Sequence, residues 1–240
     1  MTEAQRYTEA WEGFWGNTSD VPGEAIWDSD PALTAAPHLD LLQPYVADPG
    51  LPILDLGCGN GTQTRHLATR FPRALGVDLS HAAVELARRA DRAGVARYEQ
   101  LDLADAERVR ALHERLGDGN VYMRAVIHQS RPEHRAPVAG AVAELIGTAG
   151  RAFVVELTPA AKEVLRDLAE QPGGPPEKLR RVFAHGLTPA EATDDEVPAL
   201  LRSAGLELLA EGRTELVMTE CRRDGTRIDL PARWFVAGRG

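Results

Sequence analysis

A chain of 240 residues with 27 basic and 36 acidic side chains carries a formal charge of −9, which disfavours a nucleic-acid backbone as its main partner. No apolar run is long enough for a membrane span, and Met1-Thr2-Glu3-Ala4-Gln5-Arg6 lacks the basic-then-apolar order of a secretory leader. Two cysteines, Cys58 and Cys221, argue against a disulfide scaffold and against a metal cluster, so no metal site is expected and a reducing cytoplasm fits.

The length suits one domain with a substantial core. Residues 1–50 read as a cap segment ahead of the first core strand. Tyr7, Trp11, Phe14 and Trp15 have helical spacing and predict a helix on the domain edge. Ile26-Trp27-Asp28, followed by Pro31, is a second feature of this segment, and His38–Val46 predicts a helix despite Pro44. Ile53, Leu54 and Leu56 then give a buried strand, with Asp55 among them. The strand runs into Gly57-Cys58-Gly59-Asn60-Gly61, where missing Cβ atoms allow a sharp turn and close ligand approach, and Cys58 reads as a small packed residue. A helix is expected over about 62–71.

The next strand ends at Gly76-Val77-Asp78-Leu79, and Ser80 is placed to cap a helix with Ala83, Val84, Ala87 and Ala90 on one face. A third strand over 96–101 leads to Asp102-Leu103, and Asp105 can cap the next helix. Asn120-Val121-Tyr122-Met123 is the fourth strand. Arg124–Gln129 follows it, Ser130-Arg131-Pro132-Glu133 resembles a capping box, and Ala152–Val155 is a fifth strand ending at Glu156.

Residues 158–193 exceed an ordinary connection and carry a Pro/Gly hinge at 172–176, which reads as a lid. Asp194 is expected to cap the last helix. Leu206–Glu220 and Pro231–Ala237 are the final strands, joined at Asp224-Gly225, with a bulge expected at Gly212.

The glycine spacing is G-x-G-x-G with threonine at 62, not the G-x-G-x-x-G of dinucleotide sites. Asp55 stands two residues before Gly57, where it repels a pyrophosphate and attracts an ammonium or a sulfonium. That combination points to S-adenosylmethionine. At these residues the chain resembles the class I S-adenosylmethionine-dependent methyltransferases of small-molecule type.

The resemblance implies an α/β, Rossmann-like three-layer sandwich. Its seven-stranded sheet is mostly parallel and ends in an antiparallel hairpin, with an N-terminal helical segment and a lid insertion. The expected divisions of the single domain are a cap over 1–50, a cofactor half over 51–157, a lid over 158–193 and a C-terminal helix and hairpin over 194–240.

Asp78 matches the ribose acceptor of the family and Asp102 the adenine acceptor, with the backbone of Leu103 on a ring nitrogen. Asp55, Gly57, Cys58, Gly59 and Gly61 would form the pocket for the amino-acid part, with Leu79 and Met123 beside the cofactor. Trp27 either covers the methionine part or packs. Tyr122, Arg124 and Glu156 are candidate substrate residues. His128 is the candidate general base, the alternative being a core histidine, and His185 stands in reserve. S-adenosylhomocysteine would be the product.

The expected partner is a small molecule, with no nucleic acid and no membrane, for a monomer or homodimer. An arginine-rich, lysine-poor composition fits a bacterial source, and natural-product biosynthesis is the expected setting. The rival reading is an S-adenosylmethionine-binding protein without methyl transfer. An RNA-modifying enzyme is disfavoured by charge and by the absence of an Asn/Asp-Pro-Pro-Tyr/Phe motif after the fourth strand.

Overall fold

The computed structural model describes residues 3–187 and 193–239. Seven strands form one sheet: β1 (Ile53–Leu56), β2 (Ala74–Asp78), β3 (Arg97–Gln100), β4 (Asn120–Arg124), β5 (Ala152–Leu157), β6 (Glu207–Cys221) and β7 (Arg227–Gly238), in the spatial order β3-β2-β1-β4-β5-β7-β6. β1 to β5 pair in parallel, and β7 runs antiparallel between β5 and β6. The order reverses at β1, which pairs with β2 on one side and β4 on the other, so a crevice opens there beyond the strand ends.

Successive strand residues feed opposite faces, as a period of two requires. Ile53, Tyr122 and Phe153 pack with α1 (Glu3–Gly16), α2 (Ala35–Leu42) and α3 (Thr62–Leu67). Leu54, Met123 and Val154 pack on the other face with α5 (Ala106–Leu116), α6 (Pro132–Ile146) and α9 (Glu196–Ser203). Both faces are covered, which is why β1 and β5 are near-continuous apolar runs. Ser80 caps α4 (His81–Ala90) by accepting from the Ala83 N–H, and Asp105 caps α5 in the same way through Arg108.

Several local expectations change. Pro44 limits α2 to Ala35–Leu42, with a 3-10 turn over Gln43–Tyr45, because proline has no N–H to continue the helix. α3 ends at Leu67. Ser130 does not cap α6; its hydroxyl donates to the Val126 carbonyl and Arg131 occupies the cap. Asp195 takes the cap of α9 in place of Asp194. Gly212 is not a bulge: it pairs in register with Trp234, whose ring lies where a Cβ would stand, 2.7 Å away. The irregularities of β6 fall at Leu208/Ala210 and Val217/Cys221 instead.

The segment expected as a lid holds α7 (Pro159–Glu170) and α8 (Glu177–Ala184); its residues 188–192 lie outside the described ones.

Candidate functional site

The crevice is a cleft bounded by α1, the 26–28 segment, the glycine loop, the ends of β2 and β4, and helices α7 and α8. The loop takes its shape from left-handed backbone at Gly57 (φ 76°), Gly59 (φ 53°) and Gly61 (φ 74°), which side chains rarely adopt. A Cβ on Gly57 would meet Val126 at 2.5 Å, and one on Gly59 would meet the Trp15 ring at 2.7 Å. The loop is pinned at the middle of its arc by two adjacent residues. Gly59 N–H donates to Asp78 Oδ2 at 2.9 Å, and the Asn60 amide donates to Asp28 Oδ2 at 2.7 Å.

Asp78 also accepts from the Ser80 N–H at 2.9 Å. Burial nevertheless raises its carboxyl to about 6, because these bonds only partly offset the loss of water. Helix α1 is fastened to the same corner. Glu12 accepts from the Ser80 hydroxyl at 2.7 Å and from the Ala82 N–H, adding a distant carboxylate to the first turn of α4. Tyr7 on α1 faces the cleft, and burial pushes its phenol up to about 12.

Beyond β4 the chain turns through Ala125, the described non-glycine residue at positive φ (60°). Arg124 is the last residue of β4. Its guanidinium donates to the Trp27 carbonyl at 2.9 Å and lies near enough to Asp55 to draw that carboxyl down.

The strained turn is held from below by Glu156. Its Oε1 accepts from the Val126 and Ile127 N–H groups at 2.9 and 2.8 Å, and its Oε2 from the His128 N–H at 3.1 Å. The same oxygen takes His128 Nδ1 at 2.6 Å. With Nδ1 as the donor, Nε2 is left as the acceptor edge of a ring that lines the cleft.

Of the expected site residues, Trp27, Gly57, Cys58, Gly59, Asp78, Leu79, Asp102, Leu103, Arg124 and His128 line this one cleft. Asp55, Gly61, Tyr122, Met123 and Glu156 do not. Asp55 accepts from Thr64 Oγ1 at 2.5 Å in the core, and burial lifts it to about 6. Gly61 makes room for the Tyr98 ring and Ala87. Tyr122 bonds His38 Nδ1 at 2.9 Å, and Met123 is wholly buried on the opposite face of the sheet. His185 packs against the Phe14 ring, outside the cleft. Sequence reasoning passed over Tyr7, Asn60, Gln129 and His134, which also face the cleft. Only Asn60, inside the glycine loop, carried a local signal.

Lining carboxylates come from Asp28, Asp78 and Asp102; Arg124 is the single arginine or lysine among the described lining residues. Such a set suits a ligand that bears positive charge and hydroxyls but no phosphate. S-adenosylmethionine meets that description.

A family described as a methyltransferase domain matches residues 53–150. The chain is similar to a crystal structure of an S-adenosylmethionine-dependent methyltransferase from Anabaena variabilis, with 29% identity, 97% of this chain and 95% of that one covered, and a TM-score of 0.89. It shares its fold with a structure titled for the conversion of a disulfide bond into a thioacetal group during echinomycin biosynthesis (22% identity, 97% and 92% covered, TM-score 0.70). It likewise shares it with magnesium protoporphyrin IX methyltransferase from Synechocystis with bound S-adenosylhomocysteine (17%, 97% and 94%, TM-score 0.57). No curated protein matches the chain.

Proposed function

We propose that this chain, which belongs to the class I S-adenosylmethionine-dependent methyltransferases, methylates an oxygen, nitrogen, carbon or sulfur atom of a small molecule. The observation that carries the reading is the meeting of the Asp78-pinned glycine loop, Asp102 and His128 on one cleft. Bound there, the cofactor supplies a methyl group activated by its sulfonium charge.

Asp78 holds the ribose hydroxyls, Asp102 and the Leu103 backbone hold the adenine, and the loop from Gly57 to Asn60 holds the amino-acid part, with Trp27 excluding water. Asp55, Gly61 and Met123 support these contacts from behind. Arg124 fixes the cap over the loop through Trp27. His128 accepts the proton of the acceptor atom, and Glu156 orients the imidazole. α7 and α8 act as a lid on the acceptor side. The protein's work is alignment and exclusion of water. The setting we propose is the cytoplasm of a bacterium, in secondary metabolism; no described helix is long and apolar enough to cross a membrane.

The test is S-adenosylmethionine binding by calorimetry, followed by incubation with an extract of the source organism. Formation of S-adenosylhomocysteine together with a product heavier by one methyl group is the expected result. Tight cofactor binding without turnover would favour the non-transferring sensor or scaffold.

A further inference from the structure

The cleft is chemically two-sided. Every described residue that lines it from Leu157 onward is apolar, and these come from β5, α7, α8, β6 and β7: Leu157, Leu165, Phe183, Met218 and Leu230 are among them. The carboxylates and the guanidinium belong to the other half: Asp28 bonds Gly23 and Asn60, Asp78 bonds Gly59 and Ser80, Asp102 bonds Ala104, and Arg124 bonds Trp27 through one terminal nitrogen while the other is buried without a hydrogen-bond partner. Two imidazoles, His128 and His134, also line the cleft, and of these His128 has Nδ1 committed to Glu156 and Nε2 left to accept.

From this arrangement, and resting on the methyltransferase reading above, we propose that the acceptor is an uncharged, largely apolar molecule bearing a weakly acidic hydroxyl, a phenol or an enol. A carboxylate placed against Leu165, Phe183 and Leu230 would lose water without gaining a cation from that half. An ammonium is disfavoured in the same way, since among the described residues no lining carboxylate comes from that half.

The acidity follows from the base. A phenol or an enol is acidic enough for a positioned imidazole to take its proton in the transition state. A simple alcohol is, like water, far too weak an acid to be reached this way. A carboxylic acid near 4 is already ionised and gives His128 nothing to do. In the step, the hydroxyl proton passes to His128 Nε2 while an oxygen lone pair forms the new O–CH₃ bond. The S–CH₃ bond breaks with its electron pair left on sulfur, and the imidazolium later releases the proton to solvent.

The test uses three probes of one shape: 4-phenylphenol, 4-phenylbenzoate and 4-phenylbenzylamine. Their binding to the full chain saturated with S-adenosylhomocysteine is read by the fluorescence of Trp11, Trp15 and Trp27, which line the cleft. Their methylation is read by mass spectrometry with S-adenosylmethionine. The expected result is at least tenfold tighter binding of the phenol and O-methylation of the phenol alone. His128→Gln, whose amide can still donate to Glu156, should bind the phenol within about twofold of wild type and lose at least tenfold in turnover. Equal or tighter binding of the acid or the amine, methylation of either, or binding of none of the three would overturn the proposal. Phenol binding of the expected selectivity without transfer would uphold the pocket assignment and count against the methyltransferase reading instead.

Discussion

Asp28 bridges the N-terminal cap to the glycine loop: its Oδ2 accepts from the Asn60 amide at 2.7 Å and from the Gly23 N–H at 2.8 Å. One buried carboxylate thus fixes both the entry of the cap and the position of the loop opposite Asp78. Asp28→Ala strands two donors, and a buried unpaired donor costs about 1–3 kcal/mol. Lower thermal stability is expected together with weaker S-adenosylhomocysteine binding by calorimetry. Asn60→Ala should reproduce the binding loss with a smaller stability loss, since the Gly23 bond survives. Wild-type affinity in both variants would detach the cap from the cofactor site.

Asp78 should make cofactor affinity depend on pH. Its carboxyl titrates near 6 in the free protein, and the protonated form is a poorer acceptor for ligand hydroxyls. Affinity should be flat above that value and fall as pH drops through it. Asp78→Asn should weaken binding by about 1.5–3 kcal/mol, the usual worth of a charged hydrogen bond. It should also flatten the profile between pH 5 and 7. A profile of wild-type shape in the variant would assign the titration to another group.

What the sequence made legible follows a physical divide. The strands and the terminal hairpin were readable because buried strands are apolar runs and Asp224-Gly225 is a local turn signal. Leu54, Met123 and Val154 on one face and Ile53, Tyr122 and Phe153 on the other show the alternation directly. Asp78 and Asp102, singled out by their spacing from Asp55 and from each other, both line the cleft. Contacts between distant segments were not. Nothing in the sequence near Glu12 shows that it reaches the first turn of α4, and nothing near Glu156 shows that it holds the turn before His128. Asp55 had the spacing of a ligand group, yet Thr64 takes its carboxylate into the core, because a strand residue one step from the loop points into the sheet face.

Stability should respond to pH in two opposing senses. Asp55 and Asp78 are both raised to about 6 by burial, whereas unfolded carboxyls titrate near 4. The folded chain therefore binds more protons between about pH 4 and 6, and these groups withdraw stability as pH rises through that window. His38 is lowered to about 3 by burial, so the unfolded chain takes up its proton first and stability is lost as pH falls from about 6.5. Asp55→Asn, which keeps an acceptor for Thr64, should remove one of the two falling contributions. Urea titrations at pH 4.5 and 6.5 should then show the variant gaining relative to wild type at the higher pH. A constant difference at both values would place the Asp55 titration outside this window.

Gly59 and Trp15 should be energetically coupled. The loop residue is left-handed (φ 53°) and faces the indole at 2.7 Å from its missing Cβ. Gly59→Ala adds backbone strain and displaces the ring, whereas Trp15→Leu alone leaves a gap in the aromatic cluster with Phe14 and Trp27. In the double variant the smaller leucine yields to the new methyl. The combined stability loss should fall short of the sum by about 0.5–3 kcal/mol. Strict additivity in a double-mutant cycle by denaturant titration would mean the two residues do not press on each other in solution.

Helix α8 is the element whose removal from the cleft should be easiest to detect, since one lysine ties it to two other segments. Lys178 Nζ donates to the Gly23 carbonyl at 2.7 Å and to the Thr219 carbonyl and hydroxyl at 3.1 and 3.0 Å. The Lys178 and Leu179 N–H groups bond the Glu220 carboxylate at 3.0 and 3.3 Å, and Arg181 pairs with Glu24. Leu179, Val182 and Phe183 of the same helix line the apolar half of the cleft. Lys178→Met keeps the stem that packs and removes the head that ties. If α8 is a lid, the variant should show faster amide exchange over 177–184 while the strands keep their protection, because the loss is confined to a locally opening unit. Acceptor KM should rise several-fold with little change in cofactor affinity. Adding S-adenosylhomocysteine and an acceptor together should restore protection, since ligands that bind only the closed form shift the equilibrium toward it. Exchange in the wild type already as slow as in β1 and β4, and unchanged in Lys178→Met, would identify α8 as a fixed wall of the cleft.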